Sequence, residues 1–151
     1  MSEGARWGAF ATQATALAAF GIARLTAGPS YLATVRRSGR PRVHPVTPIF
    51  TDDGLYLFME PTSPKGRDLR ERGGYALHNG VPNNQGTGGE FFVSGEGVGV
   101  DGADARAQVA AAASYDPADQ YELFELFIAE ARSNGYGDIA LPDPRRWAIG
   151  E

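Results

Sequence analysis

Between residues 30 and 60 the chain is a series of short extended runs joined by tight turns, and few folds accept such a series. Ser30 to Arg37 (SYLATVRR) is rich in β-branched and aromatic residues, and Ser38-Gly39 is a turn signal. Pro41 to Phe50 (PRVHPVTPIF) is extended again. Asp52-Asp53-Gly54 turns the chain once more, into Leu55 to Glu60 (LYLFME). Strand, short glycine turn, strand is a hairpin signature, because so short a link joins only antiparallel neighbours. Three such strands in succession make a meander. Pro45 and Pro48 cannot donate to a ladder. They predict an edge, a bulge, or a strand whose free side faces a ligand.

The rest of the chain extends this pattern. Residues 5–25 read as one amphipathic helix, with Trp7, Phe10, Ala14, Leu17 and Gly21 at spacings of three and four and Gly28-Pro29 as its stop. Ser63 to Arg72 reads as a short helix, capped by Ser63, started by Pro64 and stopped by Gly73-Gly74. Tyr75 to Asn79 is a fourth strand, and residues 80–89 form a loop of turn formers. Glu90 to Asp101 is a fifth strand, whose small residues at 94, 95, 97 and 99 predict strong curvature or close backbone approach. Ala103 to Ser114 is helical by its alanine content. Residues 121–131 (YELFELFIAEA) fit both a helical face and a strand buried on two sides, and periodicity does not separate the two. Short strands with few helices predict a mainly β, α+β protein built on a six-stranded antiparallel barrel. One domain over 1–151 is expected: an N-terminal helix in 1–27, a barrel core in 28–101, and a helix, closing strand and tail in 102–151.

Composition narrows the function. The chain of 151 residues has no cysteine, two histidines (His44 and His78) and a net charge of −4. Thiolate chemistry is excluded, a histidine-rich metal site is not expected, and an acidic chain does not favour nucleic acid. No stretch approaches the roughly 18 apolar residues of a membrane span, and a cytoplasmic protein is expected. A small anionic ligand on a local basic patch remains open. Only one of the fourteen Lys and Arg residues is a lysine: Lys65, in the run Thr62-Ser63-Pro64-Lys65-Gly66-Arg67-Asp68-Leu69. A helix start carries unpaired N–H groups and partial positive charge. With a hydroxyl, an ammonium and a guanidinium added, this run has the makings of a phosphate seat.

Three motifs stand in order. They are Tyr31 to Val35 with the Ser38-Gly39 turn, Pro41-Arg42-Val43-His44-Pro45-Val46-Thr47-Pro48, and Leu55 to Met59 leading to Ser63-Pro64-Lys65-Gly66-Arg67-Asp68-Leu69. Together they resemble the pyridoxamine 5′-phosphate oxidase-like family of FMN-binding split barrels, over roughly residues 28–101. The resemblance implies a homodimer with FMN in a groove at the subunit interface. Arg42, His44, Val46 and Thr47 would lie beside the ring or ribityl chain, and Phe58 and Met59 would line the pocket. Ser63, Lys65 and Arg67 would hold the phosphate. It also implies that 121–131 is a closing strand. A true pyridoxamine phosphate oxidase is not implied, because Arg145-Arg146-Trp147 lacks the histidine of its Arg-x-His substrate motif. The expected function is an FMN-dependent oxidoreductase acting on a small organic molecule. Two alternatives stand: a deazaflavin-dependent reductase on the same groove, and a non-enzymatic flavin- or haem-binding storage protein. No catalytic acid or base and no metal site is visible. Trp147 reads either as reaching a partner's cofactor or as a plug on the barrel.

Overall fold

The computed structural model describes residues 4–85 and 87–150. Gly86, inside the predicted loop 80–89, and the chain ends lie outside the described residues. The elements are α1 (Trp7–Gln13), α2 (Thr15–Leu25), β1 (Ser30–Val35), β2 (Pro41–Val46), β3 (Ile49–Phe50), β4 (Leu55–Met59), α3 (Pro64–Glu71), β5 (Gly74–Asn79), β6 (Glu90–Gly99), α4 (Ala103–Ala112), β7 (Glu122–Asn134) and β8 (Arg146–Ala148). The strands form one sheet in the order β2-β1-β5-β6-β7-β4-β3, with β8 added against β7. Every pairing is antiparallel. β2 and β3 stand at opposite ends of that order, yet only Thr47 and Pro48 separate them in the chain. So short a link reaches about 10 Å at most. The sheet must therefore roll until its two ends nearly meet, and the result is a curled half-barrel.

Helices α1 and α2 fill the concave side of this roll. Trp7, Phe10, Leu17 and Leu25 are buried with Leu32, Leu57, Leu77, Phe91, Phe124 and Ile128 in the main core. Trp7 packs edge-on against Phe10, Phe50 and Phe91. Gly21 permits the close seating of α2, since a Cβ there would lie 2.6 Å from the Phe91 ring. Strand β4 is buried on both faces. Leu55, Leu57 and Met59 enter the main core, while Tyr56 and Phe58 join Ile49, Val109 and Leu123 in a second core under α4. Trp147 is a plug: it packs on Phe10 at 5.1 Å and its indole N–H donates to Gln13 Oε1 at 2.9 Å.

The structure corrects two expectations, the strand count and the single N-terminal helix, and agrees with the other expected elements. Among the described residues there are eight strands rather than six. The extra two come from the split of Pro41 to Phe50 into β2 and β3, and from the C-terminal β8. The split falls at Thr47-Pro48, where proline withholds a donor and the chain crosses from one sheet edge to the other. The helix over 5–25 breaks at Ala14 (φ −140°, ψ 62°), so that α1 and α2 each turn their own apolar face to the core. The closing strand expected over 121–131 is present as β7, which starts at Glu122, runs on to Asn134 and pairs with β4, β6 and β8. Curvature in β6 appears as a bulge between Ser94 and Gly95, where a Cβ on Gly95 would collide with the Phe127 carbonyl oxygen. Pro45 lies in β2, the edge strand, where its missing donor costs no ladder bond inside the sheet.

Candidate functional site

The turn after β4 delivers the start of α3 beside the edge strand β2. Ser63 has extended backbone geometry and caps the helix: its Oγ accepts from the Gly66 N–H at 3.2 Å. Pro64 holds the first helical position, where no donor is needed. Leu69 anchors the helix in the core. This leaves Lys65 half-buried and Arg67 exposed. Among the described residues neither side chain makes a hydrogen bond or ion pair.

Asp68 organises the site from beneath. It is buried on α3 and accepts from Thr34 Oγ1 on β1 at 2.7 Å, from Arg42 Nε on β2 at 2.9 Å, and from Arg72 Nη2 at 3.1 Å. Burial alone would raise its carboxyl. The hydrogen bonds from Thr34, Arg42 and Arg72 outweigh that and hold it below the usual aspartate range. Arg72 also donates from Nε to the Val35 carbonyl at 2.7 Å, tying the end of α3 to β1. One carboxylate thus fixes two strands and a helix in mutual register. His44 stands two residues beyond Arg42 on the same side of β2. Burial lowers its basicity, and Lys65, Arg42 and Arg36 lower it further, with Asp68 opposing them. His44 is therefore a neutral imidazole near pH 7, inside a field of positive charge.

The structure brings Arg42, His44, Ser63 and Lys65 together, with Arg67 on the outer side of the same helix turn. It separates the others. Val46 packs against the main core. Thr47 is exposed at the β2–β3 bend, on a cavity of about 230 Å³ shared with Ile22, Leu25 and Phe50. Phe58 faces the second core, with the Arg106 guanidinium 4.9 Å from its ring centre. Met59 is closed into the main core behind Gly66. Sequence reasoning missed Thr34, Asp68 and Arg72. The spacing of Asp68 and Arg72 at i and i+4 was a local signal for one contact, but nothing local marks Thr34 or the bond to Arg42.

His78 lies apart, on the convex side of β5, with Nδ1 2.6 Å from the Asn79 carbonyl and Nε2 3.3 Å from Glu90 Oε1. Among the described residues no cluster of three or more His, Asp or Glu could hold a metal ion. None of the described helices is long and apolar enough to cross a membrane.

No protein-family model matches the chain, and no curated protein matches its sequence. Solved structures do match. A haem-binding protein from Mycobacterium smegmatis aligns with TM-score 0.62 and 19% identity, over 80% of this chain and 55% of the other. The chain thus spans little more than half of that protein's length. A NimC/NimA family protein from Clostridium acetobutylicum aligns with TM-score 0.63 and 18% identity, over 77% and 86% of the two chains. The haem storage protein HutZ from Vibrio cholerae gives TM-score 0.57 and 14% identity, over 86% and 89%. What they share with this chain is the fold.

Proposed function

We propose that the chain binds FMN in the groove between β2 and the start of α3, as one half of a homodimer, and serves redox chemistry on a small organic molecule. One observation carries this reading. Lys65 and Arg67 have no side-chain partner among the described residues and stand at a capped helix start, beside Arg42 and His44, with Asp68 holding the neighbouring framework. A phosphate near charge −2 wants this donor set: an ammonium and a guanidinium at the positive end of a helix. FMN, when bound, supplies hydride or electron transfer through its ring. The chain's own residues would bind and orient it. Lys65 and Arg67 would take the phosphate, and the neutral His44 ring would lie against the ligand without adding charge. No residue is assigned as acid or base.

A second reading rests on His44. A neutral, half-exposed imidazole is competent to ligate iron, and the surrounding cations suit carboxylates. Two of the structural neighbours are a haem-binding and a haem storage protein. The absorption spectrum of the purified protein separates the readings. The flavin bands are expected as isolated or after adding FMN. A Soret band that disappears in His44→Ala would favour haem, and tight binding of deazaflavin alone would change the ring but keep the phosphate seat.

The dimer has a candidate face. On the outside of the sheet, Tyr31, Ala33 and Val35 of β1 stand opposite Pro45, Val43 and Pro41 of β2. Val43 is 62% and Tyr31 47% exposed. An unbroken apolar strip beside the groove is the surface a second copy would cover. Val43→Glu should give a folded monomer by light scattering, with an unchanged circular dichroism spectrum. A wild-type protein that is monomeric and still binds FMN tightly would sink the interface placement.

A further inference from the structure

From residue 4 to residue 51 the chain contains no aspartate or glutamate, although the whole molecule carries a net charge of −4. The same stretch holds six arginines, at 6, 24, 36, 37, 40 and 42. Three of them have partners. Arg6 is held by Glu125 and Tyr56, Arg24 bonds the Gly88 carbonyl over the Phe20 ring, and Arg42 is held by Asp68. The other three, Arg36, Arg37 and Arg40, ring the β1–β2 turn and are exposed. None of their side chains has a hydrogen bond or ion pair among the described residues. Their backbone is nonetheless fixed. The Arg36 N–H donates to the Arg40 carbonyl at 2.9 Å, the Gly39 N–H donates to the Arg36 carbonyl at 2.8 Å, and Gly39 takes the positive φ of 87° that the turn requires.

This turn lies at the far end of α3 from the phosphate seat. The bond from Arg72 to the Val35 carbonyl joins that end of the helix to the strand leading into the turn. A helix of this length separates its ends by about 10 Å. Arg36 also acts electrostatically on His44, so the turn and the seat share one field along β2. FMN has a single phosphate, which Lys65 and Arg67 already answer. Three more guanidinium groups within one turn exceed that need.

We infer that the Arg36–Arg40 turn is a second anion subsite, for a phosphate- or carboxylate-bearing co-substrate that docks beside the flavin. The inference rests on the FMN reading only for what fills the first seat. All three cations are arginines, whose planar forks match oxyanions two bonds at a time. The acid-free segment supplies local attraction on a molecule whose net charge repels anions.

The test uses inorganic tripolyphosphate as probe, titrated calorimetrically into FMN-loaded protein. The wild type is expected to bind it without releasing FMN. The triple variant Arg36→Ser/Arg37→Ser/Arg40→Ser is expected to bind it about 10- to 100-fold more weakly, with FMN affinity changed less than about threefold. Equal binding by both proteins, or none by the wild type, overturns the subsite. Displacement of FMN by the probe also overturns it, since the cations would then form a single seat. Tighter arginine-dependent binding of a short single-stranded RNA would overturn the small-molecule assignment. If FMN never binds, yet the triple variant still loses the probe and Lys65→Ala/Arg67→Ala does not, the turn subsite stands and the flavin reading falls.

Discussion

Replacing Lys65 and Arg67 together by Ala is expected to weaken FMN binding about 100-fold or more, while riboflavin binding changes less than about threefold. Riboflavin lacks only the phosphate, so the contrast isolates the contact under test. Charge-assisted hydrogen bonds contribute about 1.5–3 kcal/mol each, and two are removed. Both side chains reach solvent, which favours the lower end of that range. The comparison is clean because neither residue supports the fold. Neither side chain has a partner among the described residues, and alanine is the better helix former. Thermal stability without ligand should therefore stay within experimental scatter. Fluorescence titration of both flavins measures the effect. Unchanged FMN affinity would remove the phosphate assignment. Equal loss for FMN and riboflavin would mean that the two side chains touch the ring or ribityl chain instead.

What could be read in advance was local. Ser63, Pro64 and Gly73 announce both ends of α3, because capping, a tolerated proline and a glycine stop depend only on neighbours in sequence. Pro45 announces an edge for the same reason. Lys65 and Arg67 could be singled out because a helix start and its flanking charges lie within one run. Non-local features were hidden. The break at Ala14 has no glycine or proline to mark it, and it arises where two helices must each face the core. β8 is a three-residue strand that exists only because β7 offers an edge to Arg146–Ala148. The ambiguity at 121–131 has the same origin: Leu123, Phe124, Glu125, Leu126 and Ile128 are all buried, and a run covered on both faces loses the alternation that marks a strand. Met59 was expected in the pocket, but alternation along β4 sends it inward with Leu57 and sends Phe58 to the other core. The site's framework was the least legible part. Asp68 lies in the motif itself, yet its bonds to Thr34 and Arg42 span 34 and 26 residues.

Asp68→Ala is expected to cost about 2–3 kcal/mol of stability, or roughly 5–10 °C in melting temperature, and to weaken FMN binding as well. Removing one partner of a buried ion pair is more costly when the charge left behind stays buried. Here Arg42 and Arg72 keep 21% and 26% of their side chains exposed and can turn to water, so the loss is smaller. Thr34 is left buried without its acceptor. The pH dependence identifies the carboxylate itself. Its folded pKa lies below the unfolded value, so its stabilisation is fully present above that unfolded value, about pH 3.9, and is lost as pH falls through the folded pKa. Wild-type stability should therefore decline in acid more steeply than that of Asp68→Asn, and the gap between them should narrow as Asp68 protonates. Denaturant titrations from neutral pH into the acid range would show it. Parallel curves would mean that Asp68 acts by shape and not by charge. The effect on binding follows from the same bonds: without Asp68, Arg42 has no fixed direction, α3 keeps the Arg72 bond to the Val35 carbonyl but loses its bonds to Thr34 on β1 and Arg42 on β2, and the spacing between His44 and Lys65 is held less firmly. A variant that melts earlier but binds FMN as tightly as wild type would show that the seat at Lys65 needs no support from beneath.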